Sequence, residues 1–299
     1  MKKKHLLFLM AALLMITTLL AACGGNDTEE DTTEDTNAGE EASDNGDSAE
    51  ESESSSLEGT ITMAGSTSVQ PLSEELAAAF MEIHPDTRLE VAGGGSGAGV
   101  TAAQQNAADF GAASREIKED ETGIINHVIA IDGIAIIAHP DNSLEDIALE
   151  DVQKIFAGEI TNWSEVGGDD TDIVVVSRED GSGTRGAFTD IVLGDSELVA
   201  SALIHNSTGG VLEAVANDPY AIGYASTGSM QDTVKGLSVD GFEPTDENIK
   251  AGDYTVSRPF NYVVNEETEL NELAQAYLDF VLSAEGQAVV SESGFISVD

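Results

Sequence analysis

Basic side chains are scarce in this chain: 12 Lys and Arg stand against 56 Asp and Glu, a formal charge of −44. Binding a phosphate backbone needs a basic face, so a nucleic-acid partner is excluded. Cysteine is scarcer still. Cys23 is the only one, and no intramolecular disulfide can form. The five histidines, at 5, 84, 127, 139 and 205, are scattered and none pairs at metal-ligand spacing, so no metal or other cofactor is expected. No Gly-Lys-Ser/Thr follows any glycine-rich loop, which removes the P-loop reading. Neither Ser96 nor Ser182 lies in G-x-S-x-G, because Ala98 and Asp180 break that pattern. Trp163, the single tryptophan, is expected to pack rather than to stack on a ligand.

The N-terminus has a definite design. Lys2-Lys3-Lys4 leads into an apolar run from Leu6 to Ala22 that ends Leu20-Ala21-Ala22-Cys23. A basic start, a short apolar run and small residues before a cleavage point describe a secretory signal over 1–22. Cys23 then stands where a bacterial lipoprotein carries its lipid, placing the mature protein on the outer face of the cell membrane. The next segment, to residue 58, has 14 acidic residues, no Lys or Arg and no aromatic. It cannot bury a core and repels itself, so 23–58 reads as a lipidated Cys followed by a disordered acidic tether. What remains, 59–299, holds 42 acidic and 9 basic residues, a formal charge near −33 over 241 residues. That length suits one large or two small domains.

Short apolar strands alternate with amphipathic helices across this part, which argues for α/β architecture. Strands are expected at 60–63, 88–91, 110–113, 173–176, 221–224 and 259–264. Helices are expected from Pro71 to Pro85, over 100–108 and 149–156, after 186, after 209, and over 269–282. Two apolar runs fill 124–138, split at Asp132-Gly133.

The most informative stretch is Arg178-Glu-Asp-Gly-Ser-Gly-Thr-Arg-Gly186, directly after the apolar run 173–176. A strand enters a Gly/Ser/Thr turn that opens a helix, offering free N–H groups, two hydroxyls and flanking guanidinium groups to an oxyanion. Comparable turns lie at 65–68 and 93–99, each between a strand and a helix. In an open α/β sheet, ligands bind beside such helix starts, at the carboxyl ends of strands. Gly181-x-Gly183-x-x-Gly186 also fits a dinucleotide fingerprint, but no strand ending in a ribose-binding acid follows it.

Six segments together resemble the PstS-like phosphate-binding lipoproteins of ABC importers, in the periplasmic-type solute-binding superfamily. They are Ala64-Gly-Ser-Thr-Ser68, Gly94-Gly-Ser-Gly97, Ala108-Asp-Phe-Gly-Ala112, Phe156-Ala-Gly-Glu-Ile-Thr-Asn-Trp163, Arg178-Glu-Asp-Gly-Ser-Gly-Thr184 and Ala221-Ile-Gly-Tyr224. The resemblance implies two α/β lobes joined by a two-strand hinge, with the ligand in the cleft. Lobe 1 would span 59–132 plus 254–299, and lobe 2 would span 133–253. It implies a monomeric, non-enzymatic receptor that captures inorganic phosphate and presents it to the importer's permease. Its phosphate site would comprise Thr67, Ser68, Ser96, Asp109, Arg178, Ser182, Gly183 and Thr184. No family role follows for Arg115 or Arg185.

In that site Arg178 would give a dianion a planar pair of donors, and the turns would give neutral ones. Asp109 would accept the proton that monohydrogen phosphate carries and sulfate lacks. An unsatisfied buried polar group costs about 1–3 kcal/mol, so one carboxylate can discriminate strongly. Near-field donors at ~3 Å outweigh surface carboxylates acting through solvent, while the acidic far field slows the ligand's approach. Two other readings are a binder of another oxyanion (molybdate, sulfate or phosphonate) and a secreted phosphatase using Ser182 or Ser96.

Overall fold

The computed structural model describes residues 57–298. The leader over 1–22, Cys23 and the acidic segment up to residue 56 lie outside the described residues. No helix among the described residues is long and apolar enough to cross a membrane.

The chain opens with β1 (Gly59–Gly65), α1 (Gln70–Ile83), β2 (Thr87–Gly93), α2 (Ser96–Gln104) and β3 (Phe110–Ala113). β1 pairs in parallel with β2 on one side and β3 on the other, so all three present their carboxyl ends to the same edge. Helix α2 begins at Ser96, four residues before the expected start at Val100, because part of the glycine run is helical. Gly99 makes this possible: a Cβ there would stand 2.7 Å from the carbonyl oxygens of Ala64 and Ala112, so only glycine lets the helix lie on β1 and β3.

The two apolar runs at 124–138 form one strand, β4 (Ile124–Ala138). Its first half pairs antiparallel with β11 (Ser257–Asn265), and its second half pairs with β8 (Ala221–Ser226). At 15 residues it is well beyond the ~5–6 of an ordinary strand, and it serves two separate cores. One core gathers Leu72, Phe80, Phe110, Phe260, Tyr262 and Tyr277. The other gathers Ile134, Phe156, Trp163, Phe188, Ile222 and Tyr224. Trp163 is 1% exposed and its Nε1 donates to the Tyr220 carbonyl, as a packing residue.

Between β4 and β11 the second core is completed in order. β5 (Asp146–Ile147) precedes α3 (Leu149–Ala157), β6 (Val174–Arg178), α4 (Gly183–Phe188), β7 (Leu203–His205) and α5 (Thr208–Asn217). After β8 come β9 (Lys235–Gly236), β10 (Ser238–Val239) and α6 (Asp246–Ala251). The strand order is β2-β1-β3-β11-β4-β8-β6-β7, with β9 beside β4 and β10 paired with β5. The C-terminal helix expected over 269–282 is α7 (Glu272–Leu282), and a further helix, α8 (Ala284–Glu292), follows it. Ser283 divides them: it is extended, and its hydroxyl accepts from the Gly286 N–H as the cap of α8.

Candidate functional site

The three glycine-rich turns meet where the two cores adjoin. Ser66 directly follows β1 and organises the first turn. Its Oγ accepts from the N–H groups of Ser68 and Val69 and donates to Ser114 Oγ at 2.8 Å. That holds Thr67 and Ser68 at the start of α1, facing away from their own core. Ser68 Oγ lies 2.8 Å from both Thr184 Oγ1 and Thr208 Oγ1, and all three residues are buried.

The second turn contributes Ser96, the first residue of α2, which is fully buried. Its Oγ accepts from the Ser114 N–H at 3.0 Å, and the Gly97 N–H donates to the Gly181 carbonyl of the third turn. Gly183 faces Ser96 so closely that any Cβ would collide with Ser96 Oγ and stand 2.7 Å from Ser114 Oγ. Ser182 caps α4 by accepting from the Arg185 N–H. Its hydroxyl proton is not consumed by that bond.

Arg178, at the end of β6, is 2% exposed. Glu179 takes one edge of its guanidinium: Nε donates to Oε2 at 2.9 Å and Nη2 to Oε1 at 3.0 Å. The outer nitrogens point elsewhere, Nη1 to Thr208 Oγ1 at 3.3 Å and Nη2 to Thr67 Oγ1 at 3.2 Å. The Arg178 main chain is fixed too, since its N–H donates to the Tyr224 hydroxyl, whose ring stacks on Phe188 at 4.1 Å. A clamped guanidinium aimed at hydroxyls from both cores is the geometry a tetrahedral oxyanion requires.

A second buried guanidinium stands behind the first turn. Arg258 and Asp132 face each other in register on β11 and β4, at 1% and 0% side-chain exposure and 2.9 Å apart. Arg258 Nη1 donates to the Ser114 carbonyl at 3.1 Å. Burial pulls the Arg258 guanidinium below the ordinary arginine value, Asp132 opposes that pull, and Arg178 adds to it. The two guanidinium groups are therefore close enough to feel each other's charge. For Asp132, burial pushes the carboxyl up and Arg258 draws it back.

Of the residues singled out from sequence, Thr67, Ser68, Ser96, Arg178, Ser182, Gly183 and Thr184 are brought together here. Asp109 is not, and that expectation is corrected. It lies just before β3, at the end opposite Ser114, roughly 16 Å back along the strand at ~3.3 Å per residue. Its carboxylate accepts at 2.8 Å from both the N–H and the hydroxyl of Thr62. A carboxylate beside a strand's entry serves the backbone there; only groups at the exit reach the cluster. Arg115 and Arg185 also work locally. Arg115 forks onto Glu121, and Arg185 joins Asp180 and the Arg178 carbonyl.

Sequence reasoning missed Ser66, Ser114, Glu179 and Thr208. Ser66 and Ser114 follow strand ends directly, and Glu179 sits within the quoted turn, so strand-exit position was the available signal. Among the described residues, no group of His, Cys, Asp or Glu is arranged to hold a metal ion.

Comparisons with known proteins agree on one family. A model described as a PBP superfamily domain matches residues 32–285. The phosphate-binding protein PstS of Bacillus subtilis is 36% identical over 268 residues, 87% of each chain. That of Borreliella burgdorferi is 30% identical, covering 80% of this chain and 90% of its own. A Clostridium perfringens ABC transporter substrate-binding protein solved with bound phosphate is 41% identical, with a TM-score of 0.78 over 81% of this chain and 100% of that one. An ABC-type phosphate transport receptor from Vibrio cholerae is 33% identical, with a TM-score of 0.66 over 79% and 99%. The chain belongs to the PBP superfamily and, within it, to the PstS family of phosphate-binding proteins.

Proposed function

We propose that this protein captures inorganic phosphate outside the membrane and delivers it to the permease of an ABC importer. The observation that carries the reading is Arg178, clamped by Glu179 so that its outer nitrogens meet hydroxyls from the first turn and from α5. Phosphate would be held by Arg178, by the hydroxyls of Thr67, Ser68, Ser96, Ser182 and Thr184, and by the Gly183 N–H. Lobe 1 is read as 59–132 plus 254–299 and lobe 2 as 133–253, with β4 and β11 as the hinge. A ligand touching both lobes binds the closed arrangement better than the open one and shifts the protein towards it. The protein acts as a monomer and does no covalent chemistry.

Cys23 would carry the lipid that keeps the receptor at the membrane, with the acidic segment as tether. Cys23→Ser is expected to move the protein from the membrane fraction to the medium; retention on membranes would refute lipid anchoring at this residue.

One observation favours a broader ligand class. The carboxylates nearest the cluster are already engaged, Glu179 by Arg178 and, behind it, Asp132 by Arg258. The remaining side-chain partners are hydroxyls, which can donate to sulfate or accept from monohydrogen phosphate. Calorimetric titration is expected to show phosphate binding, with sulfate competing more weakly, and Asp109→Asn within twofold of wild type. No heat with phosphate would sink the transport reading, and a large loss in Asp109→Asn would restore that carboxylate to the site.

A further inference from the structure

The structure assigns Thr208, through its hydroxyl and its N–H, to the oxyanion site as a donor from a fourth loop; this rests on the phosphate reading above. Thr208 is the first residue of α5 and is 4% exposed. A residue there ordinarily leaves its N–H to solvent or to the local cap. The cap, Ser207, instead receives the Gly210 N–H. The Thr208 N–H goes to Thr67 Oγ1 at 3.1 Å, on the far side of the cleft. Its hydroxyl lies 2.8 Å from Ser68 Oγ, 3.3 Å from Thr67 Oγ1 and 3.3 Å from Arg178 Nη1.

Those three partners define the ligand's position. An anion oxygen on the outer nitrogens of Arg178 and within reach of Ser68 is also within reach of Thr208 Oγ1, because Thr208 touches both. The hydroxyl accepts from Arg178 Nη1, so its own proton is free to turn towards the anion. Thr208 thereby adds up to two donors from the second core, where Thr184 stands on the other side of Ser68. It lies 30 residues from Arg178, outside every segment that marks the family in the sequence.

The test removes the hydroxyl without changing shape. Thr208→Val keeps the branch and the N–H, and Thr208→Ser keeps the hydroxyl. Phosphate titration of the purified protein is expected to weaken at least tenfold in Thr208→Val and to return within threefold of wild type in Thr208→Ser. The ligand-free melting temperature should be the same in all three proteins. Equal affinities in Thr208→Val and wild type would overturn the assignment. A ligand-free melting loss in Thr208→Val accounting for the weaker binding, with no recovery in Thr208→Ser, would overturn it too, since that outcome describes a packing residue. If wild type itself fails to bind phosphate, the transport reading falls, whatever the variants do.

Discussion

Replacing Arg178 by alanine is expected to raise the phosphate dissociation constant at least 100-fold. Hydrogen bonds to charged partners are each worth about 1.5–3 kcal/mol, and the outer nitrogens of Arg178 provide two. Every 1.4 kcal/mol is about tenfold in affinity, so even the lower figure passes 100-fold. The substitution also exposes Glu179 Oε1 and Oε2 to the cleft, adding repulsion towards a dianion. Alanine at both positions should therefore bind phosphate several-fold better than Arg178→Ala alone. Lysine at 178 should fall between alanine and wild type, because a point charge keeps the attraction and loses the fork. Calorimetry on these variants settles the matter. An Arg178→Ala protein within tenfold of wild type would place the ligand away from this guanidinium.

The site's three turns could be read from sequence because backbone donors advertise themselves. Gly65-Ser-Thr-Ser68, Gly93 to Gly99 and Gly181 to Thr184 each interrupt a strand-to-helix alternation with residues that make no core. The parallel pairing of β1 with β2 and β3 puts the first two turns on one edge, and the Gly97 N–H joins the third to them at the Gly181 carbonyl. Asp109 was misplaced for a related reason. A sequence segment shows that an acid is near a strand but not which end the ligand occupies, and in β3 the exit residue is Ser114. Thr208 was hidden differently. Its importance lies in contacts 140 and 141 residues away in sequence, which local pattern cannot carry. The same limit explains β4. Asp132-Gly133 reads as a break between two runs, whereas pairing with β11, continued by β8 from Ile134, keeps the strand unbroken.

That extended Asp132 introduces the other large effect. Both Arg258 Nε and Nη2 donate to Asp132 Oδ2, while Oδ1 accepts from the Ser226 hydroxyl at 2.7 Å. The pair thus ties β11 and β4 to the end of β8, and Arg258 Nη1 extends the tie to Ser114 beside the cleft. A buried pair of this kind is seldom a net source of stability, yet breaking one side costs about 3–5 kcal/mol because the other charge stays buried. Arg258→Met should accordingly lower the melting temperature by roughly 10 °C, at about 2–4 °C per kcal/mol for a chain of this size. Replacing Asp132 by leucine in the same protein removes the stranded charge, so the double variant should melt several degrees above Arg258→Met. Its phosphate affinity should nonetheless stay below wild type, because nothing then holds the Ser114 carbonyl beside the cleft. Stability regained without affinity regained would assign the pair to the alignment of the cleft across the two crossing strands. An Arg258→Met protein melting within 3 °C of wild type would instead mean that water reaches Asp132 and that the pair holds neither strand.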